Sequence, residues 1–276
     1  MKSEFDFSEI CCVVVTYNGN AQVISNIKKY SSFLEKIIVI DNFSTNGFRN
    51  DLICLEENVK IIFNDVNQGI AYALNQGLEY GKAIGAKFLL TMDQDSYIDE
   101  KAIKIMLESI NFEKNCISVG PNYEHTQLRE DKCVNFLITS GNLTYIDAAI
   151  EVGGYSEGLF IDEVDIDFSF ALRKHGYILK KIANASMEHK IGEVECSKIF
   201  KIKYLSHSPI RFYYMYRNTL WVFKNYYNVF FVECLKMLLA LIFLDTTKLL
   251  LIEKNKTEKI KEAMRGIKDG LFKKNE

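Results

Sequence analysis

The run Ile10-Cys11-Cys12-Val13-Val14-Val15-Thr16 is apolar and largely β-branched to its last residue, where it gives way to Tyr17-Asn18-Gly19. A strand with one solvated face alternates apolar and polar residues. This run does not, so it predicts a strand covered on both faces, as in parallel sheets flanked by helices. Ile37 to Asp41, Val59 to Asn64 and Phe88 to Asp93 repeat the pattern. Helical stretches at Gln22 to Tyr30 and Gly69 to Gly85 lie between them. Strand–helix alternation of this kind predicts an α/β fold with a mostly parallel central sheet and crossover helices.

Each of these strands ends in polar residues: Thr16-Tyr17-Asn18-Gly19, Asp41-Asn42, Asn64-Asp65 and Asp93-Gln94-Asp95. Open parallel sheets bind ligands outside the carboxyl ends of their strands, so the four endings are expected to line one crevice. A single polar ending would signify no more than a solvated loop.

The second half is less regular. A helix is expected from Lys101 to Ile110, then strands at Cys116 to Val119, Val134 to Thr139 and Leu143 to Ile146. Another helix should start near Asp162 and stop at Gly176, followed by a strand from Ile178 to Ile182. From Pro209 the chain becomes aromatic, through Arg211-Phe212-Tyr213-Tyr214, and then strongly apolar from Met237 to Leu244. Glu233 and Lys236 before it and Asp245 and Lys248 after it bound that stretch, which is too short to span a bilayer. It reads as an interfacial or docking helix in peripheral contact with a membrane, with Lys254 to Lys274 as a basic end. The expected organisation is a main domain over 1–210 and a helical extension over 211–276.

Among 276 residues, 34 basic side chains against 36 acidic ones give a net charge of -2, so nothing favours nucleic acid as a partner. The seven cysteines contain no C-x-x-C pair and fit neither a disulfide framework nor a zinc site, which suggests a reducing compartment. The start, Met1-Lys2-Ser3-Glu4, lacks the basic and apolar regions of a secretory signal, so a cytoplasmic location is expected. G-x-x-x-x-G-K-[ST], G-x-G-x-x-G after the first strand and G-x-S-x-G are all missing. That argues against a P-loop NTPase, a Rossmann dehydrogenase and an α/β-hydrolase.

Two acidic groups could carry chemistry. Asp93 and Asp95 flank Gln94 at a strand end, and residues i and i+2 of a strand point the same way, so both carboxylates could face one Mg²⁺ or Mn²⁺. The competing reading is a solvated turn in which Ser96 or Asp99 caps the next helix. The run Asp162-Glu163-Val164-Asp165-Ile166-Asp167 opens a predicted helix, with Asp162 and Asp165 on one face. Such acids serve either as a general base or as complements to the helix dipole. His189 could add an imidazole to a cation site, although a lone histidine is more often structural.

Val13-Val14-Val15-Thr16-Tyr17-Asn18, Val39-Ile40-Asp41-Asn42-Phe43-Ser44, Asn67-Gln68-Gly69-Ile70-Ala71, Met92-Asp93-Gln94-Asp95-Ser96 and Gly153-Gly154-Tyr155 through Asp167 occur in this order. The ordered set resembles the family 2 glycosyltransferases of the GT-A fold. D-Q-D-S, Leu159-Phe160-Ile161-Asp162-x-Val164-Asp165, His-x-Ile-Gly and Tyr-Tyr-x-x-Arg-Asn are most similar to the bacterial rhamnosyltransferase branch. The resemblance spans roughly Ile10 to Asn218.

It implies inverting transfer of L-rhamnose from dTDP-L-rhamnose, a nucleotide-diphospho-sugar donor, to a glycan or glycolipid acceptor such as a surface polysaccharide or its lipid-linked precursor. It also implies that Thr16, Tyr17, Asn18, Asp41, Asn67, Gly69, Asp93 and Gln94 bind the donor. Asp93, Asp95 and His189 would hold the metal. Asp165 would be the catalytic base, with Asp162 in reserve because Val164 stands where many members carry an acid. Arg217 is a candidate for a donor or acceptor phosphate, with a surface position as the alternative. A UDP-hexose or UDP-N-acetylhexosamine donor, and a non-catalytic sugar-binding subunit, are the competing expectations.

Overall fold

The structure, a computed structural model, describes residues 6–55, 58–123, 128–188, 194–196 and 203–273. The chain divides into two compact units, Met1–Glu157 with Phe168–Lys190, and Gly158–Asp167 with Ile191–Glu276.

The first unit opens with β1 (Ile10–Thr16), α1 (Ala21–Ser31), β2 (Lys36–Asp41), α2 (Phe48–Ile53), β3 (Val59–Phe63), α3 (Ile70–Ala83) and β4 (Phe88–Asp93). This is the expected alternation, with α2 as an additional short helix. Six of the seven residues of β1 are buried, so its unbroken apolar run does reflect cover on both faces. β1 pairs in parallel with both β2 and β4, and β2 with β3. The register sets Thr16 beside Asp41, Val15 beside Asp93, and Asp41 beside Phe63. Parallel strands held in this register bring their carboxyl ends, and the polar residues there, to one edge of the sheet.

Next come β5 (Tyr97–Ile98), α4 (Glu100–Ser109), β6 (Cys116–Tyr123), β7 (Lys132–Cys133), β8 (Asn142–Tyr145), α5 (Ile146–Glu151), α6 (Val164–Lys174) and β9 (Ile178–Glu188). The strands lie in the order β3-β2-β1-β4-β8-β6-β9-β5, with β7 on β9. Beyond β4 the sheet is mixed. β8 runs antiparallel to β4 and β6, β5 and β7 run antiparallel to β9, and β6 and β9 are parallel. Val14, Val39, Leu90, Met92, Ile103, Leu143 and Met187 belong to the buried core against this sheet.

One expected strand is not formed. Val134 to Thr139 is irregular: Val134 N–H still extends the β7–β9 pairing by donating to the Leu179 carbonyl at 3.0 Å, but Leu137 N–H is then taken by a side chain, Ser169 Oγ, at 3.1 Å. The Thr139 carbonyl accepts Thr91 Oγ1 at 2.5 Å. Apolar pattern without a free ladder does not make a strand.

The second unit adds β10 (Val194–Cys196) paired with β11 (Lys203–Leu205), then α7 (Pro209–Tyr226), α8 (Phe231–Ala240), α9 (Thr246–Leu251) and α10 (Lys256–Phe272). A π-helical turn over Leu241–Asp245 joins α8 to α9 without a break. α7 and α10 pack with their backbones in close approach. A Cβ at Gly266 would collide with the Tyr213 carbonyl, so only glycine fits there. Phe212, Tyr216, Leu241, Leu249 and Ala263 form the buried centre of this unit. Among the described residues no helix is long and apolar enough to cross a membrane, and Cys11, Cys12, Cys54, Cys116, Cys133 and Cys234 are free.

Candidate active site

Within the first unit the strand ends are knitted together by side chains. Asp41 is fully buried, and its carboxylate accepts bonds from Thr16 Oγ1 (3.3 Å), Ser44 N–H (3.0 Å) and the Ser44 hydroxyl. It also pairs with Arg49 Nε at 2.6 Å. Arg49 continues to the Asn64 carbonyl at the end of β3 and lies under the rings of Phe43 and Phe63, at 5.7 and 5.2 Å. Asp41 therefore fixes the loop after β2 in place. A buried carboxylate with this many donors is satisfied rather than stranded.

The loop so fixed holds the end of β1. Asn18, in the left-handed region at φ 49°, donates its N–H to Ser44 Oγ at 2.7 Å and accepts Thr45 N–H on Oδ1 at 2.8 Å. Tyr17 is exposed, with its backbone clasped by Gln94: Tyr17 N–H donates to Oε1 at 2.9 Å, and Nε2 donates to the Tyr17 carbonyl at 3.2 Å. The middle residue of D-Q-D thus ties the ends of β1 and β4 together.

Asn42 is a hub that the sequence marked only as a polar ending. Its amide donates to Asn67 Oδ1 (2.9 Å) and to the Gly69 carbonyl (3.0 Å), and it accepts from Gln68 N–H and from Asn64. Asn67 Oδ1 also accepts Gly69 N–H at 3.0 Å. Gly69 precedes α3 at φ 89°, a conformation that glycine alone adopts without strain, so the turn into α3 depends on it. The Gly153-Gly154-Tyr155 motif is tied to α3 through Asn75, which exchanges two 2.8 Å bonds with the Tyr155 backbone.

Asp93 is half-buried and Asp95 exposed at the end of β4. Asn26 and Tyr30 of α1 brace the turn by donating to the Ser96 carbonyl at 3.3 and 3.2 Å. Helix capping falls to Asp99, whose Oδ1 accepts Ala102 N–H at 2.7 Å, and not to either aspartate of the motif. Two carboxylates two residues apart at a braced strand end are the donor set a hard divalent cation prefers. His189, the expected third ligand, lies outside the described residues. Among the described residues no three His, Cys, Asp or Glu side chains gather as a metal cage.

The second unit holds the other acidic group. Phe160, Asp162 and Glu163 all adopt positive φ, at 64°, 63° and 64°, three non-glycine residues in a sparsely allowed region within four positions. Such backbone persists only where its surroundings over-determine it. Here α7 supplies them. Arg217 Nη2 donates to the Gly158 and Leu159 carbonyls at 2.6 and 3.1 Å, and Asn218 Nδ2 reaches the Leu159, Ile161 and Asp162 carbonyls at 2.7–2.9 Å. The Arg217 guanidinium is buried among Tyr213, Tyr214 and Trp221, with the Trp221 ring 4.1 Å away. It is thus engaged with this loop.

The three acids differ in environment. Arg211 holds Asp162 through both Nε (3.2 Å) and Nη2, a paired charge-assisted contact. Glu163 accepts Thr219 Oγ1 at 3.1 Å on one oxygen, and the other is buried with no partner among the described residues. Burial, then Asp165, push its carboxyl up to about 8 against the Thr219 bond, with smaller upward effects from Asp162 and Asp245. Asp165, in the first turn of α6, is pushed up to about 6, chiefly by burial. Backbone N–H groups of Ile166 and Asp165 pull it down, and Asp162 adds a smaller upward effect. Of the three, Asp165 combines a proton affinity near neutrality with no ion pair of its own among those described.

Sequence reasoning missed Arg49, Arg211, Thr219 and Asn218. Two of them carried a signal: Arg211 and Asn218 are seven residues apart, two turns along one face of an aromatic and apolar helix.

Residues 11–135 match the sequence profile of Glycosyl transferase family 2. The chain is 29% identical to the dTDP-rhamnosyl transferase RfbF of Shigella flexneri, an alignment covering 96% of each. Among solved structures it is similar to the mannosyltransferase PcManGT from Pyrobaculum calidifontis in complex with GDP-Man and Mn²⁺, with TM-score 0.60, 11% identity, and coverage of 97% of this chain and 89% of that one. It is also similar to S. aureus TarS 1-349 in complex with UDP-GlcNAc, with TM-score 0.61, 15% identity, and coverage of 95% and 80%. At these identities the structural likeness establishes the fold, which is GT-A. With its motifs in order on that fold, the chain resembles glycosyl transferase family 2 through residues 11–135 and, over nearly its whole length, a rhamnosyl transferase.

Proposed function

We propose that the protein transfers L-rhamnose, with inversion, from dTDP-L-rhamnose to a hydroxyl of a glycan or glycolipid, such as a surface polysaccharide or its lipid-linked precursor, on the cytoplasmic side of the membrane. The observation that carries this reading is the environment of Asp165. A half-buried carboxyl at the start of α6, raised to about 6, is ionised at neutral pH yet basic enough to accept a hydroxyl proton. The name of the full-length relative supplies the donor.

On this reading Asp165 takes the proton from the acceptor hydroxyl as its oxygen bonds to the anomeric carbon. The bond from that carbon to the diphosphate breaks on the opposite side, and dTDP leaves with the electron pair. Thr16, Tyr17, Asn18, Asn67 and Gly69 form the nucleoside wall, and Asp41 acts through Ser44 and Arg49 to hold it. Gln94 keeps Tyr17 against the D-Q-D turn. Mg²⁺ or Mn²⁺ on Asp93 and Asp95, with His189, would supply positive charge to the departing diphosphate. Asp162, already committed to Arg211, orients the loop. Arg217 serves as a positioning residue beneath the same loop.

A donor screen tests the reading. dTDP-L-rhamnose, UDP-glucose, UDP-N-acetylglucosamine and GDP-mannose are each incubated with enzyme, with and without Mn²⁺ or Mg²⁺, and donor hydrolysis is followed. Metal-dependent turnover of dTDP-L-rhamnose above the others is expected. Preference for a UDP-sugar overturns the donor, and binding without turnover on any acceptor overturns the enzyme.

A further inference from the structure

The run Phe231 to Leu251 is continuously helical, about 30 Å long at 1.5 Å per residue. One stripe of it faces the unit's own core: Cys234, Leu241 and Leu249 are buried. The opposite stripe follows helical spacing through Val232, Lys236, Leu239, Phe243, Thr247 and Leu250 and is exposed. Phe231, Ile242, Leu244 and Leu251 widen it, with Phe243 and Leu244 at 64% and 69% exposure. A surface helix ordinarily turns a charged face to water. Here Lys236 is the one charge among the exposed positions of 228–251, and the acids of the run, Glu233 and Asp245, are half-buried.

The exposed charges of this part of the unit are mostly positive, although Arg265 pairs with Glu262 and Lys273 with Asp269. Over 228–273 the exposed charged residues are Lys236, Lys254, Lys261, Arg265, Lys268 and Lys273 against Glu258 alone. Lys256 also closes the carboxyl end of α9 by donating to the Leu250 and Leu251 carbonyls at 2.7 and 3.3 Å, so those acceptors are not stranded in an apolar medium. An exposed apolar stripe on a unit whose exposed charges are mostly cationic matches the interface of a bilayer carrying anionic headgroups. A second copy docked by the same face would set these cations against their equals. The helix cannot span: two of its residues are anchored in the unit's buried centre, and no described helix qualifies as a membrane crossing.

We infer that the exposed face of α8, the π-helical turn and α9, with the lysines of α10, docks the protein onto an anionic lipid surface. This rests on the second unit alone and not on the transfer reading. Lipid and acceptor can be separated experimentally, since the measurement needs no donor.

The test is sedimentation of the full chain with vesicles of phosphatidylcholine alone or with 30% phosphatidylglycerol. Binding to the anionic vesicles, weakened by salt, is expected. Phe243→Ser with Leu244→Ser should lower vesicle affinity at least about tenfold. Lys254→Glu, Lys261→Glu and Lys268→Glu should each lower it roughly fivefold. Both sets lie at exposed positions, and an unchanged circular-dichroism melt confirms folding. No binding to the anionic vesicles overturns the proposal. So does a dimer in solution that Phe243→Ser with Leu244→Ser converts to a monomer without altering vesicle binding.

Discussion

Thr16, Asp41 and Asp93 take their places from strand register, whereas Asp162, Glu163 and the loop that leads into Asp165 take theirs from side chains that come 49 to 59 residues later in the chain. At the strand ends each polar group meets a partner close by in the sheet. Thr16 is beside Asp41 in the ladder, and Asn42 bridges to Asn67 and Gly69 across a short loop. In Gly158–Asp167 the backbone itself is unfavourable, and Asn218 and Arg217 hold it there. The first region is a consequence of the fold. The second is an exception the fold maintains, which is where a group with altered proton affinity is to be expected.

The largest expected effect in breaking this contrast is at Asp165. Asp165→Asn should lower turnover by about 10³-fold while leaving metal-dependent donor affinity within a factor of two, as isothermal titration with dTDP-L-rhamnose and Mn²⁺ would read. Full activity in that variant removes Asp165 from the chemistry. Asp95→Asn should do the reverse: metal-assisted donor binding weakens by roughly a hundredfold, several kcal/mol, while binding measured without metal changes little. Equal loss in both titrations would mean that Asp95 shapes the loop instead of holding the ion.

A smaller effect is expected from removing the support. Asn218→Ala leaves three carbonyls, at Leu159, Ile161 and Asp162, without their donor, at a cost of about 3 kcal/mol in unfolding free energy. Its signature should be a fall in kcat with the donor KM nearly unchanged. A matched fall in donor affinity would contradict the separation of the two regions.

The smallest expected effect concerns Glu163. Its carboxyl is raised from an ordinary 4.5 to about 8 in the folded protein, so the folded state holds the proton more tightly than the unfolded chain. Between those values the unfolded state ionises first, and stability declines as pH rises from 4.5 to 8. Glu163→Gln removes that decline. It should raise stability at pH 8.5 by on the order of 1–2 kcal/mol and leave it unchanged near pH 4. A gain of equal size at both pH values would show packing, not titration, as the cause.

How much of this was legible in the sequence follows the same contrast. β1 and β4 have the bounds their apolar runs predicted, and Asp41 and the D-Q-D turn stand at strand ends as read, because a period-free apolar run and its polar ending are local properties. Val134 to Thr139 failed for the opposite reason: beyond Val134 its backbone was claimed by the Ser169 side chain from a distant part of the chain. The six acids and apolar residues from Asp162 to Asp167 announced themselves by composition. Their division of labour did not, since Arg211, Thr219 and Asn218 decide it from another helix. Positive φ at Phe160 and Glu163 has no signature in residue type, because neither is glycine, asparagine or aspartate.

The pH dependence of rhamnosyl transfer tests the assignment of Asp165 most directly. With dTDP-L-rhamnose and Mn²⁺ at fixed ionic strength, kcat/KM for the acceptor should rise tenfold per pH unit below about 6 and level off above it, as Asp165 loses its proton. Asp165→Asn should give a low rate with no inflection there. An inflection near 6 that survives in Asp165→Asn would place the base on another residue.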